Sequence, residues 1–442
     1  MPGPPLIPIT PDAQLPARVD VVIIGGGIIG ASTALELSER GLKVLLCEKG
    51  EIAGEQSSRN WGWVRISLRD PREIPLMAKA IAIWEGLDAR TGYETGYTKT
   101  GIVWPAQTRR KAAEYQRWAT NLTALGIDCP MLSPREVDSL YPGHQMPAKP
   151  ALFAPIDGRA EPQLATSAIA RAARDRGCAI MTNCAVRSLD IAAGRVAGVI
   201  TEKGPVACDS VVIAGGAWSR LFAGNAGIYL PQLKVLSSVM RTSPVEGPEI
   251  TIHGLGFALR KRADGGYTVV AGTGSIADIV PDTLRLAWPF LPALKSEFGN
   301  LRLRLGREWV EQARIPRTWS PAQESPFERC RTLDPTPDAK ALKAGWIEAQ
   351  RAFPALARAS VVQSWAGMID VTPDAIPVIS PVDDVTGLFM ATGFSGHGFG
   401  IGPAAGCLMA DLVAGTTPLV DPHDYRLSRF SDGSRVHPDK GN

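Results

Sequence analysis

The sequence predicts an α/β fold in which two domains are threaded through one another. Three observations carry that prediction. A strand, a glycine turn, a helix and a second strand follow one another near the N-terminus. Two more apolar strands that end in glycine turns lie far downstream. Between them the chain reads as antiparallel strands near Val235–Arg241, Gly256–Arg262 and Tyr267–Gly272. At 442 residues the chain can form one very large domain or two interleaved ones.

The first unit is the most informative. Val21 to Ile24 is a β-branched apolar run, as a buried parallel strand should be. Gly25, Gly27 and Gly30 follow at G-x-G-x-x-G spacing, with Ile28 and Ile29 before the third glycine. Ala31 to Arg40 then reads as a helix, and Gly41 is its stop. The run "LKVLLCE" is a second strand that ends in Glu48, followed by Lys49. The first glycine allows a tight turn, the second lets a pyrophosphate approach the backbone, and the third lets helix and strand pack closely. The helix N-terminus faces the phosphates. A carboxylate at Glu48 can accept hydrogen bonds from an adenosine ribose and would repel a 2′-phosphate.

Such a unit can hold FAD or NAD, and three later segments favour FAD. Pro155–Asp190 reads as a turn, a helix over Glu161–Arg176 and a strand that includes Val186. Asp209–Ser219, "DSVVIAGGAWS", is a buried strand running into Ala214, Gly215 and Trp218. Gly387–Gly415 is a strand, a glycine-rich loop (Gly393, Gly396, His397, Gly398, Phe399, Gly400, Ile401) and a final helix. A nicotinamide domain is usually contiguous, whereas these pieces come from three parts of the chain. The Rossmann-type FAD domain is expected to use 19–96, 155–232 and 363–416. The substrate domain, α+β with an antiparallel sheet, is expected to use 97–154 and 233–362, with tails at 1–18 and 417–442. The positive end of the last helix, near Gly398–Gly402, would stabilise negative charge on a reduced flavin.

Other function classes find little support. Net charge is +3 and no block of like charges occurs, so nucleic acid is not an expected partner. The seven Cys are scattered without a CxxC, which argues against a disulfide frame or a zinc site and suits a reducing compartment. The first twenty residues are Pro-rich without an apolar run of signal length, and no uncharged apolar stretch is long enough to span a membrane. A cytoplasmic location, with peripheral contact at the inner membrane, is expected.

The order GGGIIG, Glu48, "SSRNWG", "DGRAEPQ", "VVIAGGAWS", "VTPDAIPVIS" and "GFSGHGFGIGP" resembles the D-amino-acid-oxidase-type FAD oxidoreductases over nearly the whole chain. Within that superfamily "EKGEIAGEQSSR", "TNCAVRSLD", "VITEKGPV", "GGAWSRLF" and "ESPFERCRTL" look like the bacterial L-amino acid deaminases. "ESPFE" lies in a segment, about 288–359, that those enzymes also carry as an insertion. The resemblance implies non-covalent FAD and oxidation of an amino acid to an imino acid, which hydrolyses to the 2-oxo acid and ammonia. It also implies a respiratory-chain acceptor through a membrane helix. This chain departs from that helix, so oxygen or a respiratory component are both open as acceptors. The insertion stretch "AWPFLPALKSEFGNLRLRLGREW" is expected to form an amphipathic helix over the substrate domain; contact with a membrane surface is the alternative.

By the same pattern Ser57, Ser58, Arg59 and Asn60 line the pyrophosphate and flavin. Trp61 and Trp63 beside them want burial, and are expected to wall the substrate pocket. A polar residue stands at the Trp63 position in the deaminases, so Trp should make the pocket more apolar or narrower. Trp365, ahead of the TPD motif, is assigned to the pocket as well.

An amino-acid oxidase must grip a carboxylate, and arginine is the best fork for it. The superfamily Arg before TPD is replaced by Ile369 here. Arg260 matches the deaminase anchor, Arg262 shares its strand face, and Arg65 matches the sarcosine oxidase anchor. The ranking is Arg260, then Arg65. His397 is a possible catalytic group and His253 a weaker pocket residue. No acid–base residue is required if a neutral amine passes hydride from Cα to flavin N5. Gly367 stands where sarcosine oxidases tether FAD through Cys, and Gly400 where they carry a Lys. The expected activity is deamination of an L-amino acid with an apolar or aromatic side chain. The alternatives are a D-amino acid or secondary-amine oxidase, or an FAD subunit of an electron-transfer complex.

Overall fold

The computed structural model describes residues 3–272, 274–297 and 301–439. Its organising element is a six-stranded sheet in the order Val378–Pro381, Leu388–Thr392, Ser210–Ile213, Val21–Ile24, Val44–Cys47, Ala179–Met181. All neighbours run parallel except the outer Val378–Pro381 pair. The strands are buried on both faces, which is why they read as unbroken Val/Ile/Leu runs rather than as alternating patterns. Helices Ile28–Glu39 and Gly398–Ala414 pack together on one side of this sheet. A three-stranded meander, Val186–Ala192, Arg195–Thr201 and Gly204–Ala207, flanks it.

A second, larger sheet is built around the antiparallel strands Leu233–Thr242, Tyr267–Ala271 and Phe257–Lys261. It continues through Thr251–His253 to Ile102–Pro105 and Ala151–Ala154. The long strand Val361–Val371, expected at the head of the third FAD segment, pairs along its length with Leu233–Thr242 in this sheet. It therefore forms the floor between the two halves of the molecule. A small sheet of Trp63–Val64, Gly158–Arg159 and Thr98–Lys99 stitches the halves together on the other side.

The insertion is not one amphipathic helix. It opens with helix Ala287–Glu297, strand Leu301–Arg304 and helix Arg307–Ala313; residues 298–300 of the quoted stretch lie outside the described residues. Its next part crosses to the nucleotide side. There Phe327 packs against Trp218 and Trp319, and Arg331 pairs with Glu202. Only then does helix Ala339–Ala352 return to cover the substrate-side strands.

Candidate functional site

The glycine turn at Ile24 opens a cleft between the sheet and the long floor strand. Gly25 has φ +114°, and a Cβ there would sit 2.5 Å from the Ala214 carbonyl oxygen. A Cβ on Gly30 would sit 2.0 Å from the Gly25 carbonyl oxygen. Both positions thus require glycine, one for its turn and one for close helix–strand packing. The helix begins at Ile28, whose amide donates to Ser57 Oγ at 2.9 Å. Glu48 lines the cleft and accepts the Gly26 and Gly50 amides at 2.7 and 2.8 Å. Burial pushes its carboxyl above the usual range, with Lys49 and the two amides pulling the other way.

The cleft fits FAD. The N-terminal end of a helix suits a pyrophosphate. Val186, Ala214, Gly215, Trp218, Ile29 and Phe399 give apolar walls, and Gly27, Asn60, Gly396 and Gly398 bring backbone close. Gln56 Oε1 is buried on this wall with no hydrogen-bond partner among the described residues, as an oxygen awaiting a ligand donor would be. Lys49 lines the cleft too, but its Nζ is already held by Glu55 at 2.7 Å and lies 4.5 Å from the Trp218 ring centre. The sequence missed Glu55, Gln56, Phe327, Met368, Asp370 and Phe394, all of which line the cleft. Asp370 accepts the Gly393 amide at 2.7 Å and Gln232 Nε2 at 3.2 Å. Several expected cofactor contacts instead support the wall from behind. Ser58 donates to the Glu55 carbonyl, Arg59 pairs with Asp334 at 2.6 Å, and the Gly400 carbonyl takes Trp84 Nε1. Gly30 and Ile401 are buried away from the cleft surface.

A second cavity backs onto the cleft across Asn60–Trp61 and across the Leu236–Met368 contact. Its volume is about 560 Å³, and its walls include Trp61, Trp104, His253, Leu236 and Ser238. Trp63 buttresses it edge-on to Trp61 at 5.2 Å and to Trp104 at 5.6 Å, and His253 stacks on Trp104 at 4.8 Å. Burial, with Arg65 nearby, drives the His253 pKa down to about 4, so this imidazole is neutral. Trp104 was not singled out in the sequence. It sits on a strand 41 residues from Trp63 (104 − 63), with no motif around it.

Arg65 lies against this aromatic group, its guanidinium carbon 5.4 Å from the Trp104 ring centre. It donates to the Ser67 carbonyl, and among the described residues no carboxylate oxygen lies within 4.0 Å of it. Burial and then Arg69 lower its pKa to about 9, which still leaves it charged at neutral pH. The loop that carries it is held by buried Asp157, which accepts the Ile66 amide at 2.6 Å and the Ser67 hydroxyl. Burial raises the Asp157 carboxyl from its ordinary 3.8 to about 6. The folded chain therefore keeps that proton to higher pH than the unfolded chain, and ionising it costs stability as pH climbs from about 4 to about 6. Asp157→Asn should accordingly change Tm more favourably at pH 8 than at pH 4.5, as measured by differential scanning fluorimetry. An equal change at both would reject the shifted titration.

Arg260, ranked first from the sequence, is placed differently. It is 1% exposed, and its guanidinium forks onto Glu161 at 2.8 and 3.3 Å with Thr268 at 3.0 Å. Arg262 lies 3.8 Å from the same carboxylate and 3.2 Å from Asp264. Both cations are satisfied within the protein, and, like Arg65, neither is in the wall of the aromatic cavity. Removing the shared acid leaves Arg260 buried without its carboxylate and Arg262 with Asp264 alone. Glu161→Ala should therefore cost about 3–5 kcal/mol of unfolding free energy by urea titration; a loss under ~1 kcal/mol would contradict the pairing. Trp365 is likewise fully enclosed and donates to the Arg59 carbonyl at 3.0 Å. His397 starts the last helix, and its Nδ1 lies 3.0 Å from Glu73 Oε2. Burial works to raise the Glu73 pKa, but His397, Arg69 and Arg65 overcome it and hold the carboxyl below its usual range.

Known proteins share this fold. The L-amino acid deaminase of Proteus myxofaciens, solved with anthranilate, superposes with a TM-score of 0.93 at 34% identity, over 96% of this chain and 97% of that one. The Proteus vulgaris deaminase lacking its specific insertion sequence gives 0.78 at 28% identity, over 96% and 97%. The sarcosine oxidase subunit beta of Rhodobacter capsulatus is 27% identical over 435 residues, 95% of this chain and 90% of its own. The family model described as DAO, FAD dependent oxidoreductase, matches residues 20–412, and the chain belongs to that family, as an FAD-dependent enzyme that oxidises amino acids or amines at a CH–NH2 or CH–NH group.

Proposed function

We propose that the protein oxidatively deaminates an L-amino acid with an apolar or aromatic side chain, giving the 2-oxo acid and ammonia. The observation that carries this reading is an arginine without a carboxylate partner, Arg65, packed behind Trp104, a wall residue of the aromatic cavity that adjoins the FAD cleft. Bound FAD supplies the hydride acceptor. The chain's own residues do the rest. Arg65 takes the substrate carboxylate, the Trp61–Trp104–His253 wall takes the side chain, and Trp63 fixes that wall. Neutral His253 leaves the amine free of a competing cation. The product imine is hydrolysed by water. The similarity to the Proteus deaminases supports the L-series and primary amine.

FAD held non-covalently is supported at Gly367, which carries no side chain to tether it. The exposed Leu284, just before the insertion, and Trp288 and Leu305 within it, beside Arg285 and Arg307, support peripheral membrane contact, although no helix among the described residues is long and apolar enough to cross a membrane.

The test is anaerobic. The purified protein is mixed with separate pools of L- and D-amino acids, and absorbance near 450 nm is followed. Bleaching by the L-pool is expected. Bleaching by the D-pool alone overturns the stereochemistry. Bleaching by neither moves the substrate to N-substituted amines or makes the chain an electron-transfer subunit.

A further inference from the structure

Residues 325–334 run between two walls of the FAD cleft. At the upstream end Glu328 pairs with Arg187 at 2.7 Å, next to the wall residue Val186. Phe327 enters the cleft wall itself, with Trp218 edge-on at 5.9 Å. Downstream, the loop after strand Val44–Cys47 takes over. Lys49 Nζ donates to the Cys330 and Arg331 carbonyls at 2.7 and 3.0 Å, and the Leu333 amide donates to Glu55 Oε1 at 2.9 Å. Arg331 returns the contact, donating to the Lys49 carbonyl at 2.9 Å and to Glu202 at 2.6 Å. Asp334 ends the run on Arg59 at 2.6 Å. A Cβ on Gly50 would lie 2.4 Å from the Arg331 carbonyl oxygen, so loop and segment meet backbone to backbone.

Two features set this segment apart from the rest of the wall. It has one helical turn, Pro326–Arg329, and no strand, and within it only Ser325, Pro326 and Phe327 are buried. Arg329, Thr332 and Asp334 are exposed. Its release therefore uncovers little apolar surface and leaves both sheets intact, which places its opening at the low end of local stabilities. Its anchors, in turn, are themselves cleft residues. Lys49, Glu55 and Trp218 all line the cleft. Glu55 joins three parts at once: Lys49 at 2.7 Å, Trp218 Nε1 at 3.0 Å and the Leu333 amide. A ligand that orders these side chains orders the segment, and the segment orders them by the same free energy.

We propose that residues 325–334 are a latch for FAD, displaced while the cofactor enters and then fastened against the cleft through Lys49, Glu55 and Arg331. The glycine turn decides whether FAD binds, and the latch decides how fast it leaves. Neither statement depends on which amine is oxidised. Arg331 is the informative residue, because it is absent from the cleft wall. It acts as a positioning residue through the Lys49 carbonyl on one side and Glu202 on the other. Glu202 also accepts the Ala185 amide at 2.6 Å, beside wall residue Val186. Losing the Arg331 side chain therefore loosens the latch at both ends without touching the cofactor's own contacts.

The experiment follows FAD exchange. Holoenzyme carrying radiolabelled FAD is mixed with excess unlabelled FAD, and the label retained on the protein is counted over time. Three variants are compared with wild type: Arg331→Ala, Phe327→Leu, and Arg329→Ala as a control on the same turn, whose partner Glu324 is as exposed as it is. Label should leave Arg331→Ala and Phe327→Leu at least ~10-fold faster than wild type, and Arg329→Ala within ~2-fold of it. The Tm of Arg331→Ala apoprotein should stay within ~2 °C of wild type, because the latch is open when FAD is absent. Hydrogen exchange on wild type gives a second readout. The 325–334 amides should exchange faster in apoprotein than in holoenzyme, while strand Leu233–Thr242 stays protected in both. Equal label loss from all four proteins, or equal exchange of 325–334 with and without FAD, would overturn the latch. Faster label loss accompanied by a matching fall in apoprotein Tm would make the segment a structural support instead. A failure of every amino acid to bleach the flavin would sink the substrate reading and leave these outcomes as they are.

Discussion

Gly30→Val protein should emerge from purification without flavin. The expected ratio of absorbance at 450 nm to that at 280 nm is under a tenth of the wild-type value, and FAD titrated into the apoprotein should bind at least ~100-fold more weakly, about 2.7 kcal/mol. The reason is the 2.0 Å separation between a Cβ at this position and the Gly25 carbonyl oxygen. That oxygen belongs to backbone, so relief requires the helix to move off the strand. Helix and turn together present the amides that face the pyrophosphate, and a shift of even half an ångström spoils them. Gly86→Ala is the control. Gly86 lies within the helix Ile74–Thr91 and has nothing within 4 Å of its Cβ position. That variant should keep its flavin and gain up to ~1 kcal/mol of stability from helix propensity. Full flavin retention by Gly30→Val would mean that the cleft is not built on this turn.

The contrast between these two glycines also marks what could be read from the sequence. Gly30 belongs to a local pattern in which strand, turn, helix and acid follow within thirty residues, and chemistry written locally is legible. The same holds for the strands Val21–Ile24, Val44–Cys47 and Ser210–Ile213, whose apolar runs announce burial on both faces. The Glu161–Arg260 pair is the opposite case. Its partners are 99 positions apart, and nothing in "GFALRKRADGGY" says that a glutamate from another domain will arrive beneath it. Resemblance ranked Arg260 above Arg65; the pairing supports the reverse order that we propose. Strand Val361–Val371 sits in the substrate-side sheet for a similar reason, because its partner Leu233–Thr242 is distant in sequence. Trp104 and Asp370 were silent because a lone aromatic or acid in a strand carries no spacing signal.

That reversal leads to the second large effect, at Arg65. Arg65→Ala should raise KM for an amino acid substrate about 100-fold while kcat falls less than ~10-fold, with FAD still bound. A buried charged pair truncated on one side costs roughly 2–5 kcal/mol, and 3 kcal/mol corresponds to about a hundredfold. The split toward KM follows if the carboxylate is gripped alike in the bound substrate and in the transition state. Arg65→Lys should recover only part of the loss, since a point charge replaces a planar fork. An amine that lacks the carboxylate should react with wild type and Arg65→Ala at similar kcat/KM. Arg260→Ala separates the two anchors. With Glu161 left unpaired in a buried site, that variant should lose Tm and yield, and any folded fraction should keep its KM. A hundredfold KM change at Arg260 with an unchanged Tm, and none at Arg65, would return the anchor to the strand and require Glu161 to release it on binding. The stability readout matters because a lost carboxylate site and a broken core ion pair both lower activity, and only the second also lowers Tm.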